Sequence, residues 1–175
     1  LKIYHLSWPF WKHVENSIRG IKNAARLGYD AIDLDILITA DGVIVVCHWM
    51  RPLVRDDFID TLNRIHVRAQ VRNLTWAEVQ RLRSKDDDYR IIRVEAALRI
   101  CARHKIIAYL EPKNDVRFEL DWPWQHIVAV KERYGTRVWV RSIKDFPTFN
   151  AGRRRVRAAI RNGIPRRHTR LIRGS

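Results

Sequence analysis

Sulfur is scarce in this chain: 175 residues carry two cysteines and one methionine. Two thiols, Cys47 and Cys101, are too few for a disulfide framework, and each sits in an apolar stretch, so both are expected as buried thiols. Long hydrophobic runs are missing too, and nothing approaches the roughly 20 apolar residues that a membrane helix requires. No apolar h-region opens the chain, so no secretory signal is expected and a cytoplasmic location is. The first residue is Leu1 rather than Met, so a missing upstream segment is one expectation. Internal repeats and low-complexity linkers are absent. Acid is missing from one end only. The last acidic residue is Asp145, and from Gly152 to Ser175 there are nine arginines and no carboxylate, within a chain of net charge +15. That Arg-rich segment, 152–175, reads as a solvated helix face, with a polyanion contact (nucleic acid or anionic lipid) as the alternative.

What is present is globular. Hydrophobic content of 46% and charged content of 30% suit one folded domain over residues 1–175. Strand-like and helix-like segments alternate. Lys2 to His5 is a short strand, and Asn16 to Leu27 has helical period with Gly28 as its stop. Ala31 to Ile38 alternates Ile32, Leu34 and Ile36 against Asp33 and Asp35. Asp41-Gly42 is a hairpin turn into Val43 to Cys47. Residues 49–90 are polar and weakly periodic, an insertion after the second strand. Within it, Thr75-Trp-Ala-Glu78 opens a helix as a capping box, running to about Arg83, and Ser84 to Asp88 is a loop. Val94 to Arg103 is a helix, Ile106 to Leu110 a buried strand, Trp124 to Tyr134 a helix and Arg137 to Ser142 a strand. Arg153 to Asn162 is a last helix, and Thr169 to Ile172 begins one more strand. The pattern predicts a parallel α/β fold of TIM-barrel type, but with about five strand-helix units it is an incomplete barrel.

The chemistry concentrates in two short patterns, Asp33-Leu-Asp35 and Glu111-Pro-Lys113. Residues two apart on a strand share a face, so each pattern presents two charges together. Carboxylates in apolar strands are costly unless compensated, and three converging on one point suit a hard divalent cation. His5, near the N-terminus, and His48, after Val43 to Cys47, complete a metal-assisted acid/base set. The plain alternatives are a solvent-facing strand edge for Asp33 and Asp35, and a salt bridge for Glu111 and Lys113. Asn16 is either a phosphate ligand or a helix N-cap.

These residues stand in an order that resembles the glycerophosphodiester phosphodiesterases, a family of TIM barrels. His5 matches the histidine of its His-Arg-Gly motif, and Glu15-Asn16-Ser17 the Glu-Asn-Thr that opens the first helix. Gly28-Tyr-Asp-Ala-Ile-Asp33-Leu-Asp35 resembles the acidic metal motif. Thr39-Ala-Asp-Gly-Val-Ile-Val-Val-Cys-His48 is similar to the Thr-x-Asp-Gly hairpin and its histidine. Leu74-Thr-Trp-Ala-Glu78 matches the insertion, and Glu111-Pro-Lys113 the Glu-x-Lys motif. The likeness spans roughly residues 3–145. The chain departs from it in four places. Leu6-Ser7 replaces Arg-Gly, Trp49 replaces an aspartate, Asp33 replaces a glutamate, and the last barrel strands are absent.

The resemblance implies a phosphodiester hydrolase cleaving glycerophosphodiesters to glycerol 3-phosphate and an alcohol. It implies Mg²⁺ or Ca²⁺ held by Asp33, Asp35 and Glu111, His5 and His48 as catalytic acid and base, and Lys113 and Asn16 at the substrate phosphate. The partner is then a small-molecule phosphodiester, with an oligomer completing the barrel as a further expectation. Two alternatives stand beside it: a catalytically degenerate phosphate- or nucleic-acid-binding protein, and a phospholipid lyase of the sphingomyelinase D type.

Overall fold

The structure is a computed structural model and describes residues 2–4, 16–48, 58–62, 69–85, 90–113, 115–144 and 149–173. Five strands run parallel in one sheet: β1 (Ile3–Tyr4), β2 (Ala31–Ile38), β7 (Ile107–Pro112), β8 (Val138–Lys144) and β9 (Thr169–Arg173). A hairpin strand, β3 (Ile44–Val46), returns antiparallel along β2 and carries the short β6 (Ile92–Arg93) on its far side. The helices are α1 (Ile18–Arg26), α2 (Trp76–Val79), α3 (Val94–Arg103), α4 (Trp122–Tyr134) and α5 (Phe149–Arg161). Among the described residues, β1 pairs only with β2 and β9 only with β8, so this barrel-type sheet is open.

The alternation in β2 sets the layers. Ile32, Leu34, Ile36 and Ile38 are fully buried against Ile21 and Ala24 of α1, Leu98 and Cys101 of α3, and Trp124 and Ile127 of α4. That layer is the main core, and it forces Asp33 and Asp35 onto the opposite, inner face. A second cluster joins Leu37, Val45 and Cys47 to Phe58, Val71, Leu74, Val79 and Leu82, packing the insertion over the β2–β3 hairpin. Both cysteines are buried thiols, as expected, and burial pushes the Cys101 thiol up to about 12.

Several boundaries differ from those the pattern predicts. The first helix begins at Ile18, because Ser17 caps it by accepting from the Gly20 N–H at 3.0 Å. Asn16 is therefore not the cap; it sits at φ 57° with its side chain turned elsewhere. The capping box at Thr75 and Glu78 is present, but α2 stops at Val79 instead of running to Arg83. Leu82–Ser84 is a strand, β5, antiparallel to β4 (Phe58–Asp60), so Ser84 is not loop. Three residues per strand are too few to show a period in the sequence, and the pairing comes from residues distant in sequence. The last helix starts at Phe149, four residues before Arg153.

Candidate active site

Register brings the charges together. Asp33 pairs with Tyr109 and Asp35 with Glu111 across β2 and β7, and the run of β8 that begins opposite Ala108 with Val138 puts Arg141 beside Glu111. Parallel neighbours in register share a face, so Asp33, Asp35, Tyr109, Glu111, Trp139 and Arg141 all address the inner side of the sheet. Glu111 and Lys113 lie at the C-terminal end of β7, the end that carries active sites in this architecture, while Asp33, Asp35 and Arg141 sit within β2 and β8.

The resulting cluster is buried and charge-paired. The Lys113 ammonium lies 2.6 Å from Asp35 Oδ1 and donates to Glu111 Oε1 at 2.5 Å. The Arg141 guanidinium pairs with Asp33 Oδ2 and lies 2.5 Å from Glu111 Oε2. Asn16 grips Asp35 at both ends: its Nδ2 donates to Oδ2 at 2.9 Å, and its Oδ1 accepts from the Asp35 N–H at 2.8 Å. Burial alone would pull the Lys113 pKa down, but Asp35 and Glu111 more than offset it and leave it raised, so the ammonium stays charged at neutral pH.

His48 follows β3, directly after Cys47, whose N–H donates to the Asp35 carbonyl at 2.9 Å. Part of its side chain is open to solvent, yet the imidazole feels the cluster. Desolvation lowers its pKa most. Asp35 pulls it back up, Lys113 adds to the lowering, and Glu111 and Asp33 raise it; the net shift is down. His5 lies outside the described residues, as do Glu15, Trp8, Trp11 and Trp49.

Three features were not anticipated from the sequence. Arg141 is the first; alternation against Val138 and Val140 puts it on the inner face with Trp139, but the β7–β8 register decides which charges it meets there. Arg117 is the second. It pairs with Asp115 at 2.6 Å and donates to the Thr39 and Ile38 carbonyls at 2.6 and 2.7 Å, tying the segment after β7 to the end of β2. The third is an aromatic row beside the carboxylates. Tyr109 meets Trp139 edge-on at 6.0 Å, and His168 stacks on Trp139 at 5.2 Å. A cavity of about 830 Å³ lies apart from all of these, between α1 and α3, lined by Arg19, Lys22, Trp76, Arg90 and Arg99 among others.

The donor set suits a hard divalent ion in kind, being all carboxylate oxygen. In arrangement the oxygens are closed on Lys113 and Arg141. Among the described residues, no three His, Cys, Asp or Glu side chains form a ready-made ion cage.

An open, mostly parallel barrel sheet with acids on its inner face defines a TIM-barrel-like α/β protein. Residues 6–160 match the glycerophosphoryl diester phosphodiesterase family, and the chain belongs to that family. The mouse protein named glycerophosphodiester phosphodiesterase 1 is 32% identical over 106 residues, which cover 57% of this chain and 30% of that protein. The human protein of the same name is 29% identical over the same share. This chain thus spans about a third of the length of those relatives. Among solved structures, a glycerophosphodiester phosphodiesterase from Parabacteroides distasonis superposes with a TM-score of 0.65 at 17% identity, covering 98% of this chain and 64% of that one. An Oleispira antarctica phosphodiesterase, solved with its product sn-glycerol-3-phosphate, gives 0.62 at 15% identity, covering 91% and 59%. At such identities these likenesses establish the fold. No helix among the described residues is long and apolar enough to cross a membrane.

Proposed function

We propose that this chain hydrolyses glycerophosphodiesters to glycerol 3-phosphate and an alcohol at the Asp33–Asp35–Glu111 cluster. The observation that carries the reading is the convergence of three buried carboxylates and Lys113 on one face of neighbouring parallel strands, with His48 within electrostatic reach. Asp33, Asp35 and Glu111 are the residues that would hold a Mg²⁺ or Ca²⁺ ion. When bound, such an ion neutralises charge developing on the phosphoryl oxygens. Lys113 supplies a fixed positive charge beside the same oxygens. His5 and His48 divide the proton transfers. The lowered pKa of His48 keeps its imidazole neutral near pH 7, the form that accepts a proton, which supports the base role for His48 and leaves the acid role to His5. Asn16 orients the Asp35 carboxylate through one Nδ2 hydrogen bond, and the second Nδ2 hydrogen is the donor it would offer to the substrate phosphate.

One observation favours a second reading, a phosphate-binding protein without turnover: Lys113 and Arg141 already neutralise most of the negative charge that would draw an ion in. Turnover of a chromogenic phosphodiester by wild type, His48→Ala and Glu111→Ala separates the two. The hydrolase reading expects activity in wild type and its loss in both variants. A folded wild type that binds phosphate and turns over nothing supports the second. A polyanion contact through the exposed Arg153, Arg157, Arg166 and Arg167, and an oligomer that covers the open sheet edges, belong to the same proposal.

A further inference from the structure

Arg141 is placed where a structural residue has little reason to be. It rises from β8 onto the inner face, and its side chain is 15% exposed. Its guanidinium bridges Asp33 and Glu111, which come from different strands. These are two of the three carboxylates that the hydrolase reading assigns to a divalent ion, so the inference rests on that reading. The fit is also imperfect. The buried Arg141 Nε has no hydrogen-bond acceptor, and Glu111 Oε2 is close to the guanidinium without an aligned hydrogen bond. A cation held by charge more than by directed hydrogen bonds is one that another cation can displace.

We propose that Arg141 is a built-in counter-ion that competes with a divalent cation for Asp33 and Glu111. The guanidinium offsets one of the three carboxylate charges when no metal is bound, and it weakens divalent binding because the ion must first displace it. Lys113 does not play this part in the same way. It bridges Asp35 and Glu111 from two residues along β7, and so leaves Asp33 to Arg141 alone among the two cations.

The test is ion binding, read as the shift of melting temperature with Mg²⁺ or Ca²⁺ concentration and by calorimetry, without substrate. Wild type is compared with Arg141→Met, which keeps the aliphatic stem, and Arg141→Lys, which keeps a charge on a less planar head. The expected result is a lower melting temperature for Arg141→Met without ion, and an ion affinity at least about tenfold tighter than wild type, with Arg141→Lys between them. Adding Glu111→Gln to Arg141→Met should abolish the gain. If Arg141→Met folds only once ion is added, that too supports the competition, and Arg141→Lys supplies the affinity comparison. Equal ion affinity in all three proteins overturns the competition and leaves the metal site intact. No ion response in any of them, including Arg141→Met, overturns the competition and the metal reading together.

Discussion

Two sets of ion pairs among the described residues, one on the inner face and one on the helical exterior, are worth different things. On the inner face, Asp33, Asp35 and Glu111 meet Lys113 and Arg141 in side chains that are at most 15% exposed. On the helical exterior, Arg154 pairs with Glu119, and Arg161 lies 2.5 Å from Asp121, with both arginines more than half exposed. Both sets join elements distant in sequence. The outer pairs dock α5 against the segment that leads into α4, but water screens them and competes for their partners. The inner charges have no such alternative, so removing one strands the others in low dielectric. Charge is tolerated at the surface almost anywhere; on the inner face its presence asks for a use.

The comparison is broken most severely at Glu111, which faces both cations. Glu111→Ala is expected to cut hydrolysis by about 10³-fold or more, roughly 4 kcal/mol of barrier, and to destabilise the fold by about 3–5 kcal/mol through the stranded cations. Steady-state kinetics and denaturant melts on the same preparation check both parts. His48→Ala comes next, with a loss of about 10²–10⁴-fold in kcat/KM and a smaller stability change. Because the folded His48 pKa lies below its ordinary value of about 6.5, its neutral form is the favoured one in the fold. The stability this provides is fully present above the unfolded pKa and is lost as pH falls through the folded one. The acid limb of the pH–rate profile should therefore sit below about 6.5 in wild type and vanish in His48→Ala.

Smaller effects sharpen the contrast. Asn16→Ala frees Asp35 from its asparagine clamp and should weaken divalent-ion binding by roughly 10–100-fold, by analogy with other groups that orient metal ligands, while leaving His48 in place. Calorimetric ion titration reads it directly. Arg154→Ala and Arg161→Ala, out in solvent, should leave hydrolysis unchanged and move the melting temperature little. Their effect should shrink further with added salt, whereas the loss in Glu111→Ala should not.

The site was legible to different depths at different residues. Asp33 and Asp35 stand out because strict alternation in β2 leaves only one face for them, and Glu111-Pro-Lys113 because it closes an apolar strand. The hairpin at Asp41-Gly42 was equally plain: Gly42 takes φ 84° where a side chain would be strained, and Thr39 closes the loop onto Val43. Those are local signals. Arg141 needed the β7–β8 register, a relation between residues some thirty apart that no single segment carries. The β4–β5 pair failed for the same reason, since neither strand has an apolar pattern of its own and each exists through the other. Asn16 shows a third case. The sequence offers a helix cap or a phosphate ligand; Ser17 takes the cap, and the Asn16 side chain, on backbone at positive φ, bonds Asp35, a long-range contact that no local pattern carries.

The most direct measurement is release of glycerol 3-phosphate from glycerophosphocholine by the wild-type chain, with Mg²⁺ or Ca²⁺ and again after EDTA. The account predicts ion-dependent release that EDTA abolishes and fresh ion restores. A folded chain that releases no glycerol 3-phosphate with either ion, or that releases it equally well in EDTA, would contradict it.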